Sequence, residues 1–212
     1  MKIINPSFEI LTQTPAAEIL AMVERAGRTC YKSEDKITPE SAAAFVRMLI
    51  KNGHEAMIEH FNITVGIICD RGVTHEVVRH RIASYGQEST RYCNYAQEKF
   101  GNEITVIEPF FFINSPAKFN VWLRAMANAE AAYMELLDLG ATPQEARSVL
   151  PNSLKTEIIV TMNLREWRHF FRLRAAKTAH PQMQEVACPL LARFKAWLPP
   201  VYEDIHPEQA AE

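Results

Sequence analysis

The chain has 212 residues, of which 48% are hydrophobic, and a formal net charge of −2. This length and composition predict one domain over residues 1–212, with a sizeable core and a frayed tail over residues 206–212. The near-neutral charge argues against a nucleic-acid partner, and the apolar stretches are too short to span a membrane. Four cysteines without a CxxC pair, and an N-terminus without a leader-like apolar region, favour a cytoplasmic location.

Hydrophobic periodicity and turn residues predict few strands and many helices. The predicted strands cover residues 1–11, 61–69 and 103–108. The predicted helices run from Pro15 to Gly27 and from Pro39 to Gly53, and over residues 72–80, 116–139, 143–150, 164–173 and 182–197. Residues 82–95 are expected to be irregular, and residues 156–162 fit either a strand or a helix. Because strands and helices do not alternate regularly, the predicted class is α+β, with a small antiparallel-type sheet packed with several long helices.

Two common kinds of site are missing from the sequence pattern. The seven glycines form neither GxGxxG nor GxxxxGK[ST], so the phosphates of a bound dinucleotide would need side-chain cations or helix N-termini. His54 and His60 are six residues apart, and His75 and His80 are five apart, whereas two zinc ligands on one helix face are spaced by four. We therefore expect no metal site, and the alternative of a metal hydrolase would require a zinc content that tracks activity.

The most informative segment is the RHR triplet at residues 79–81, which is followed by Ser89, Arg91 and Tyr92. Guanidinium groups present forks of donors that match phosphate oxygens and planar carbonyl or imide edges. A simpler alternative is a charged helix end followed by a solvated loop. Another is a basic and aromatic patch for single-stranded nucleic acid, against which the net charge and the lack of an RNA-binding signature argue. Ser89 lacks a GxSxG context, so it is better suited to hydrogen bonding than to nucleophilic attack.

Three motifs, taken together, resemble one enzyme family. They are RHR-x7-S at residues 79–89, ARSVLPNSLKTEIIVTMNLREW at residues 146–167 and FFRLR at residues 170–174. In their order and spacing they resemble the flavin-dependent thymidylate synthases. The resemblance implies reductive methylation of dUMP to dTMP, with methylenetetrahydrofolate as carbon donor and FAD, reduced by NADPH, as hydride carrier. It also implies a homotetramer with flavin sites between subunits. A catalytically inactive relative is the remaining alternative, and the retained arginines argue against it.

The resemblance also assigns roles to individual residues. Those implied to bind dUMP are Glu76, Val77, Val78, Arg79, Gln87, Glu88, Ser89, Thr90, Arg91, Arg147 and Arg174. Those implied to bind FAD are Arg79, His80, Arg81, Gln87, Asn163, Leu164 (through its backbone), Arg165 and His169. A wall for folate or nicotinamide is expected from His54 and Tyr92, and support for the flavin edge from Glu59. Departures from the family pattern near the flavin are Cys30, Ala56, His169 and His180.

The uracil ring must be made nucleophilic at C5 for this reaction. None of the four cysteines lies in a Pro-Cys-His-like context, so addition of a cysteine to the ring is not expected. An arginine beside N3 and O4 would instead stabilise the negative charge that develops on the ring. The resemblance assigns this catalytic role to Arg174, and we assign the dUMP phosphate to Arg91.

Overall fold

The structure is a computed structural model that describes residues 1–207, so residues 208–212 of the predicted tail lie outside the described part. The strands are β1 (Lys2–Ile4), β2 (Ser7–Ile10), β3 (Asn62–Asp70), β4 (Ala83–Gln87), β5 (Thr105–Ile107) and β6 (Lys155–Asn163). The helices are α1 (Ala16–Tyr31), α2 (Ser41–Lys51), α3 (Arg71–Val77), α4 (Pro116–Asp138), α5 (Pro143–Ala146), α6 (Leu164–Arg174), α7 (Pro181–Trp197) and α8 (Pro199–Tyr202). Short 3-10 turns cover Glu34–Lys36, Glu55–His60, Glu98–Phe100, Phe110–Phe112 and Arg147–Val149.

Four of the strands form a small antiparallel sheet in the order β2-β3-β6-β4. Strands β1 and β5 form a separate parallel pair, in which Lys2 lies opposite Thr105 and Ile4 opposite Ile107. Burial alternates along most of β3 and β6, as expected where every second side chain enters the core. The predicted α+β class is therefore confirmed. Within the described residues, no helix is long and apolar enough to cross a membrane.

The chain divides into two compact units. Unit one comprises Met1–Ser7, Ile67–Arg79 and Gly86–Ile159. Unit two comprises Phe8–Gly66, His80–Tyr85 and the chain from Val160 onward. Each unit has its own buried aromatic side chains, and the single domain expected from the chain length stays a prediction.

Helix α4 provides much of the core of unit one. Trp122, Met126 and Tyr133 are buried at positions that repeat with the helical period, and they belong to one apolar cluster. The Trp122 indole N–H donates to the Ser153 hydroxyl at 3.1 Å, so its one polar atom is satisfied. The helix predicted over residues 116–139 is therefore confirmed, together with its apolar face.

Helix α6 lies in the core of unit two. Trp167, Phe170 and Phe171 are at most 1% exposed, at the i, i+3 and i+4 spacing of a buried helix face. The Trp167 indole N–H donates to the Ile63 carbonyl at 3.0 Å, and the Phe194 ring of α7 lies 5.3 Å from the Trp167 ring. Each buried aromatic contributes on the order of 2–3 kcal/mol, so α6 is a rigid support for the charged side chains that it carries.

Three predictions of secondary structure are wrong. The single strand predicted over residues 1–11 is divided into β1 and β2, because the two halves pair with different neighbours, β5 and β3. The first helix does not end at Gly27 but continues to Tyr31, after which Lys32 is left-handed with φ 49°. Gly27 lies inside α1, where a β-carbon would lie 2.5 Å from Cε1 of Phe45, so the glycine serves the close approach of α1 and α2 rather than a helix end. Residues 83–87, expected to be irregular, form β4 at the edge of the sheet. The open choice at residues 156–162 is settled as strand β6.

Candidate functional site

The end of α3 positions the first group of predicted nucleotide-binding residues in unit one. The helix ends at Val77, so Arg79 lies just past its last turn, as predicted. Val77 is fully buried, whereas Val78 and Arg79 are exposed. The Arg79 backbone N–H donates to the Glu76 carbonyl at 3.2 Å, which closes the turn after the helix. A ligand can therefore meet the Arg79 side chain, whereas the buried Val77 side chain belongs to the core.

The segment after β4 forms a turn rather than an open loop. The Ser89 carbonyl accepts the backbone N–H groups of Tyr92 at 3.1 Å and Cys93 at 2.9 Å. The Ser89 hydroxyl also accepts the Arg91 backbone N–H at 3.3 Å. The Arg91 guanidinium lies 5.3 Å from the centre of the Tyr92 ring, and both side chains are exposed. This turn presents a cation next to a hydroxyl, which is suitable for an anionic group.

Arg147 is brought to the same turn by the short helix α5. A capping box between Thr142 and Glu145 fixes the start of α5, and Arg147 follows on a 3-10 turn. Its Nη1 donates to the buried Thr90 hydroxyl at 3.5 Å. Two arginines separated by 56 positions in the sequence are therefore associated with one turn.

Gln87 and Glu88 have partners inside unit one. The Gln87 amide nitrogen lies 3.0 Å from the Thr74 hydroxyl and 3.2 Å from the Thr156 hydroxyl. Glu88 accepts the Lys155 ammonium at 2.8 Å and the Tyr95 hydroxyl at 2.9 Å. These contacts fix the strand end before the turn, and direct binding of a nucleotide by either side chain stays a prediction.

In unit two, the imidazole of His80 lies between an arginine and a carboxylate. Arg174 Nε donates to His80 Nε2 at 3.2 Å, and His80 Nδ1 lies 3.2 Å from Glu166 Oε1. Burial, followed by the charges of Arg174 and His169, lowers the pKa of His80 from 6.5 to about 4. At neutral pH the ring is therefore uncharged. Both ring nitrogens have partners within unit two, and contact of His80 with flavin stays a prediction.

Asn163 and Leu164 start helix α6. The Asn163 side chain caps the helix by accepting the Glu166 backbone N–H at 2.8 Å. The Leu164 side chain is fully buried, its N–H donates to the Phe61 carbonyl at 3.0 Å, and its carbonyl accepts the Tyr202 hydroxyl at 3.3 Å. Their contact with FAD stays a prediction, and the structure assigns both residues a structural role at the helix start.

A cavity of about 380 Å³ lies beside α6 in unit two. Its lining includes three residues predicted to bind FAD (Asn163, Arg165 and His169) and also Glu55, Glu59, Ile82, Glu166 and Arg172. Arg165 Nη1 lies 2.6 Å from Glu59 Oε1. Glu59, predicted to support the flavin edge, is thus paired with Arg165, which is predicted to bind FAD. Arg81 is exposed and precedes Ile82 of this lining.

Sequence reasoning missed four residues of this cavity, which are Glu55, Ile82, Glu166 and Arg172. Arg172 is seven residues after Arg165, hence on the same face of α6, and its Nη2 lies 3.3 Å from Glu55. Glu166 lies in the first turn of α6, where acidic residues are common in any helix. Its pairing with His80 therefore cannot be predicted from the neighbouring sequence. The i, i+7 spacing of the arginines was the one signal available in the sequence.

His80, Glu166 and His169 have ligand atoms within 4.8 Å of one another, a spacing that a metal ion could use. However, His80 Nε2 accepts a hydrogen bond from the positively charged Arg174, which disfavours a second cation at that nitrogen. His54 is exposed at the start of the 3-10 turn Glu55–His60, and Tyr92 is 77% exposed in unit one. The absence of a metal and the wall for folate or nicotinamide both stay predictions.

Comparison with known proteins first defines the class. The family model described as "Thymidylate synthase complementing protein" matches residues 9–200. This range includes all three motifs and every residue predicted for the site. The class is therefore that of the thymidylate synthase complementing proteins.

Individual relatives give the family a more specific description. The chain is 35% identical to a flavin-dependent thymidylate synthase of Corynebacterium efficiens, over 98% of this chain and 88% of that protein. It is 35% identical to one of Geobacter sulfurreducens over 93% and 86%, and 36% identical to one of Pyrococcus furiosus over 81% and 70%. The chain belongs to the flavin-dependent thymidylate synthase family. It is thus an enzyme, a methyltransferase that depends on a flavin.

Proposed function

We propose that the enzyme converts dUMP to dTMP by reductive methylation, with methylenetetrahydrofolate as carbon donor and FAD, reduced by NADPH, as hydride carrier. The observation that carries this proposal is the exposure of three arginines in unit one and their lack of carboxylate partners among the described residues. Arg79, Arg91 and Arg147 are exposed, and among residues 1–207 none of them is paired with a carboxylate. Exposed cations without acidic partners suit a ligand that brings its own negative charge, as a nucleotide monophosphate does.

The dUMP phosphate is assigned to the turn after β4. Arg91 supplies the charge there, the Ser89 hydroxyl lies 3.3 Å from the Arg91 backbone nitrogen, and Arg147 is associated with the turn through Thr90. Bidentate hydrogen bonds from guanidinium groups to phosphate are about twice as strong as neutral ones. This arrangement supports Arg91 and Arg147 as the principal dUMP-binding arginines, with the backbone at residues 76–79 completing the site.

Arg174 is proposed to activate the uracil ring. Its guanidinium cannot act as a base, since its pKa exceeds about 12, but it stabilises negative charge on N3 and O4. The buried cysteine Cys69 is unsuited to attack on the ring. Burial, with a smaller effect of Asp70, raises the pKa of Cys69 to about 12, so its thiolate is scarce. Burial also raises the pKa of Cys188.

The residues around the cavity in unit two fit a flavin dinucleotide in their chemistry. The exposed guanidinium groups of Arg165 and Arg172 would exchange Glu59 and Glu55 for the phosphates, and the polar side chains of Asn163 and His169 suit the ring edge. When bound, reduced FAD supplies the hydride. A cavity of about 380 Å³ lies at the small end of the ~300–1,000 Å³ range for drug-sized ligands, and FAD is larger. This supports a flavin site that a second subunit completes, as in the homotetramer that the family resemblance implies.

The first test is an absorbance spectrum of the purified protein, followed by addition of dUMP and then NADPH or NADH. The expected protein is yellow, and its flavin is bleached by NADPH faster when dUMP is present. A turnover assay with methylenetetrahydrofolate should then yield dTMP. Protein that takes up no added FAD and forms no dTMP would exclude the proposal.

Arg174→Ala tests the catalytic assignment. It should reduce dTMP formation at least about a hundredfold while flavin stays bound, because the electrostatic stabilisation of the ring is lost. Arg193→Ala is the matched control, since Arg193 is an exposed arginine of α7 that lines a different groove. Unchanged turnover in Arg174→Ala would remove Arg174 from the mechanism.

A further inference from the structure

Arg174, His80 and Glu166 form a continuous chain of polar contacts within unit two. The two links are each 3.2 Å long, from Arg174 Nε to His80 Nε2 and from His80 Nδ1 to Glu166 Oε1. His80 is 3% exposed and Glu166 is 8% exposed, so water competes little for either contact. The imidazole thus links the proposed catalytic arginine to a buried carboxylate.

The chemistry of the three groups fixes the direction of every hydrogen bond. A guanidinium has donors but no acceptor, so His80 Nε2 must offer its lone pair to Arg174. The neutral ring then carries its proton on Nδ1, and this N–H donates to the Glu166 carboxylate. Glu166 thereby selects the one tautomer of His80 that can accept from Arg174. Without that carboxylate, the tautomer with the proton on Nε2 would set two donors against each other.

The ring of His80 is also fixed by its surroundings. Its centre lies 5.0 Å from the Phe170 ring and 5.3 Å from the His169 ring, both in edge-on contact. The His80 carbonyl accepts the hydroxyl of Tyr85, which constrains the backbone. At the other end, the Glu166 backbone is bound by the Asn163 cap in the first turn of α6. Glu166 and Arg174 lie in the first and last turns of this helix, and the imidazole connects them.

The contact with His80 fixes the guanidinium plane of Arg174. Arg174 Nε donates to the neutral imidazole, whose own orientation is held by Glu166 on the other ring nitrogen. Electrostatic stabilisation of the developing uracil anion requires donors that are oriented before the reaction begins.

We infer that Glu166 is a positioning residue for Arg174, which it orients through the tautomer of His80. The inference deepens the proposed function and rests on it, because it presupposes that Arg174 activates the substrate. Glu166 does not touch the reacting atoms in this scheme. Its loss should therefore act on the rate of turnover rather than on the amount of flavin or the binding of dUMP.

The test compares Glu166→Ala, Glu166→Gln and the wild-type enzyme. Glu166→Ala removes the acceptor for Nδ1–H and should lower kcat for dTMP formation by about tenfold or more, with the KM for dUMP and the flavin content unchanged. Glu166→Gln keeps a carbonyl acceptor at the same position and should restore most of kcat. Glu203→Ala is the matched control, because Glu203 is an exposed acid of unit two paired with Arg47, and its kcat should equal that of the wild type.

The outcomes separate the inference from the proposed function. A wild-type enzyme that forms no dTMP refutes the proposed function itself. Wild-type turnover together with an unchanged kcat in Glu166→Ala overturns the inference alone. A fall in kcat that Glu166→Gln does not restore, accompanied by loss of flavin, also overturns it, since that pattern indicates a structural role. If Glu166→Ala does not fold, Glu166→Asp replaces it, and a kcat equal to that of the wild type overturns the inference.

Discussion

Two groups of arginines, one in each unit, differ in whether a carboxylate is paired with them. In unit one, Arg79, Arg91 and Arg147 are exposed, and within the described residues no carboxylate pairs with them. In unit two, Arg168 is fully buried and donates to both oxygens of Asp204 at 2.7 Å and to Glu55 at 3.1 Å. Arg165 and Arg172 on the same helix also contact Glu55 or Glu59.

This difference shows that the number of arginines in a motif does not reveal how many can bind a ligand. A buried arginine with several carboxylate partners stabilises the fold, whereas an exposed one without such partners can neutralise a phosphate. The stretch from Arg147 to Arg168 contains both kinds. The following predictions test the distinction, from the largest expected effect to the smallest.

The largest effect is expected for Arg168→Met in unit two. The substitution leaves Asp204 and Glu55 without their shared cation and should lower the free energy of unfolding by about 3–5 kcal/mol. Arg91→Met in unit one should change it by no more than about 0.5 kcal/mol, since Arg91 is exposed. Urea titrations at one protein concentration measure both. Equal losses in the two variants would contradict the distinction.

Acid should destabilise unit two through His80. Burial, with the charges of Arg174 and His169, lowers the pKa of His80 to about 4 in the folded protein. Between pH 6.5 and pH 4, His80 is therefore protonated in the unfolded chain but not in the folded chain. The contribution of uncharged His80 to the free energy of unfolding is fully present above pH 6.5. It is lost as the pH falls towards 4, by roughly 3 kcal/mol. In the wild-type protein the urea midpoint should be lower at pH 4.5 than at pH 7, and in His80→Gln the two midpoints should therefore converge. His75→Gln, at an exposed position of α3 in unit one, should keep the wild-type difference.

A pair of glycine substitutions compares packing in the two units. Gly27→Ala in unit two puts a β-carbon 2.5 Å from the Phe45 ring and should cost about 2 kcal/mol. Gly86→Ala in unit one meets no atom within 4 Å and should change stability by about 0.5 kcal/mol or less. Thermal unfolding of both variants gives the comparison. A Gly27→Ala variant with the wild-type unfolding temperature would mean that α1 and α2 can move apart with no loss of stability.

The smallest effect is expected for Arg91→Ala in unit one. It should weaken dUMP binding about tenfold, which corresponds to about 1.4 kcal/mol, and leave the flavin bound. Arg124→Ala, an exposed arginine of α4, serves as the control for surface charge. Equilibrium titration with dUMP and the flavin absorbance report the two properties separately. Loss of flavin instead of dUMP affinity would show that the phosphate assignment is wrong.

Local patterns in the sequence predicted the elements with strong periodicity. The hydrophobic periodicity over residues 116–139 predicted α4, and that over residues 164–173 predicted α6, because a 3.6-residue period is a property of the chain itself. Patterns of this kind failed at Gly27 and at β4. There the outcome depends on what the segment meets, a phenylalanine ring in one case and a sheet edge in the other.

The sequence by itself determined the family, through the order and spacing of its motifs, and placed the RHR triplet at and beyond a helix end. Only the tertiary structure decided which arginines are already paired and what surrounds His80. The residues that fix His80 lie 86 and 94 positions away in the chain, so no local pattern contains them. Hydrogen bonds and pKa values depend on distance in space and on burial, and both are set when α6 packs into the core.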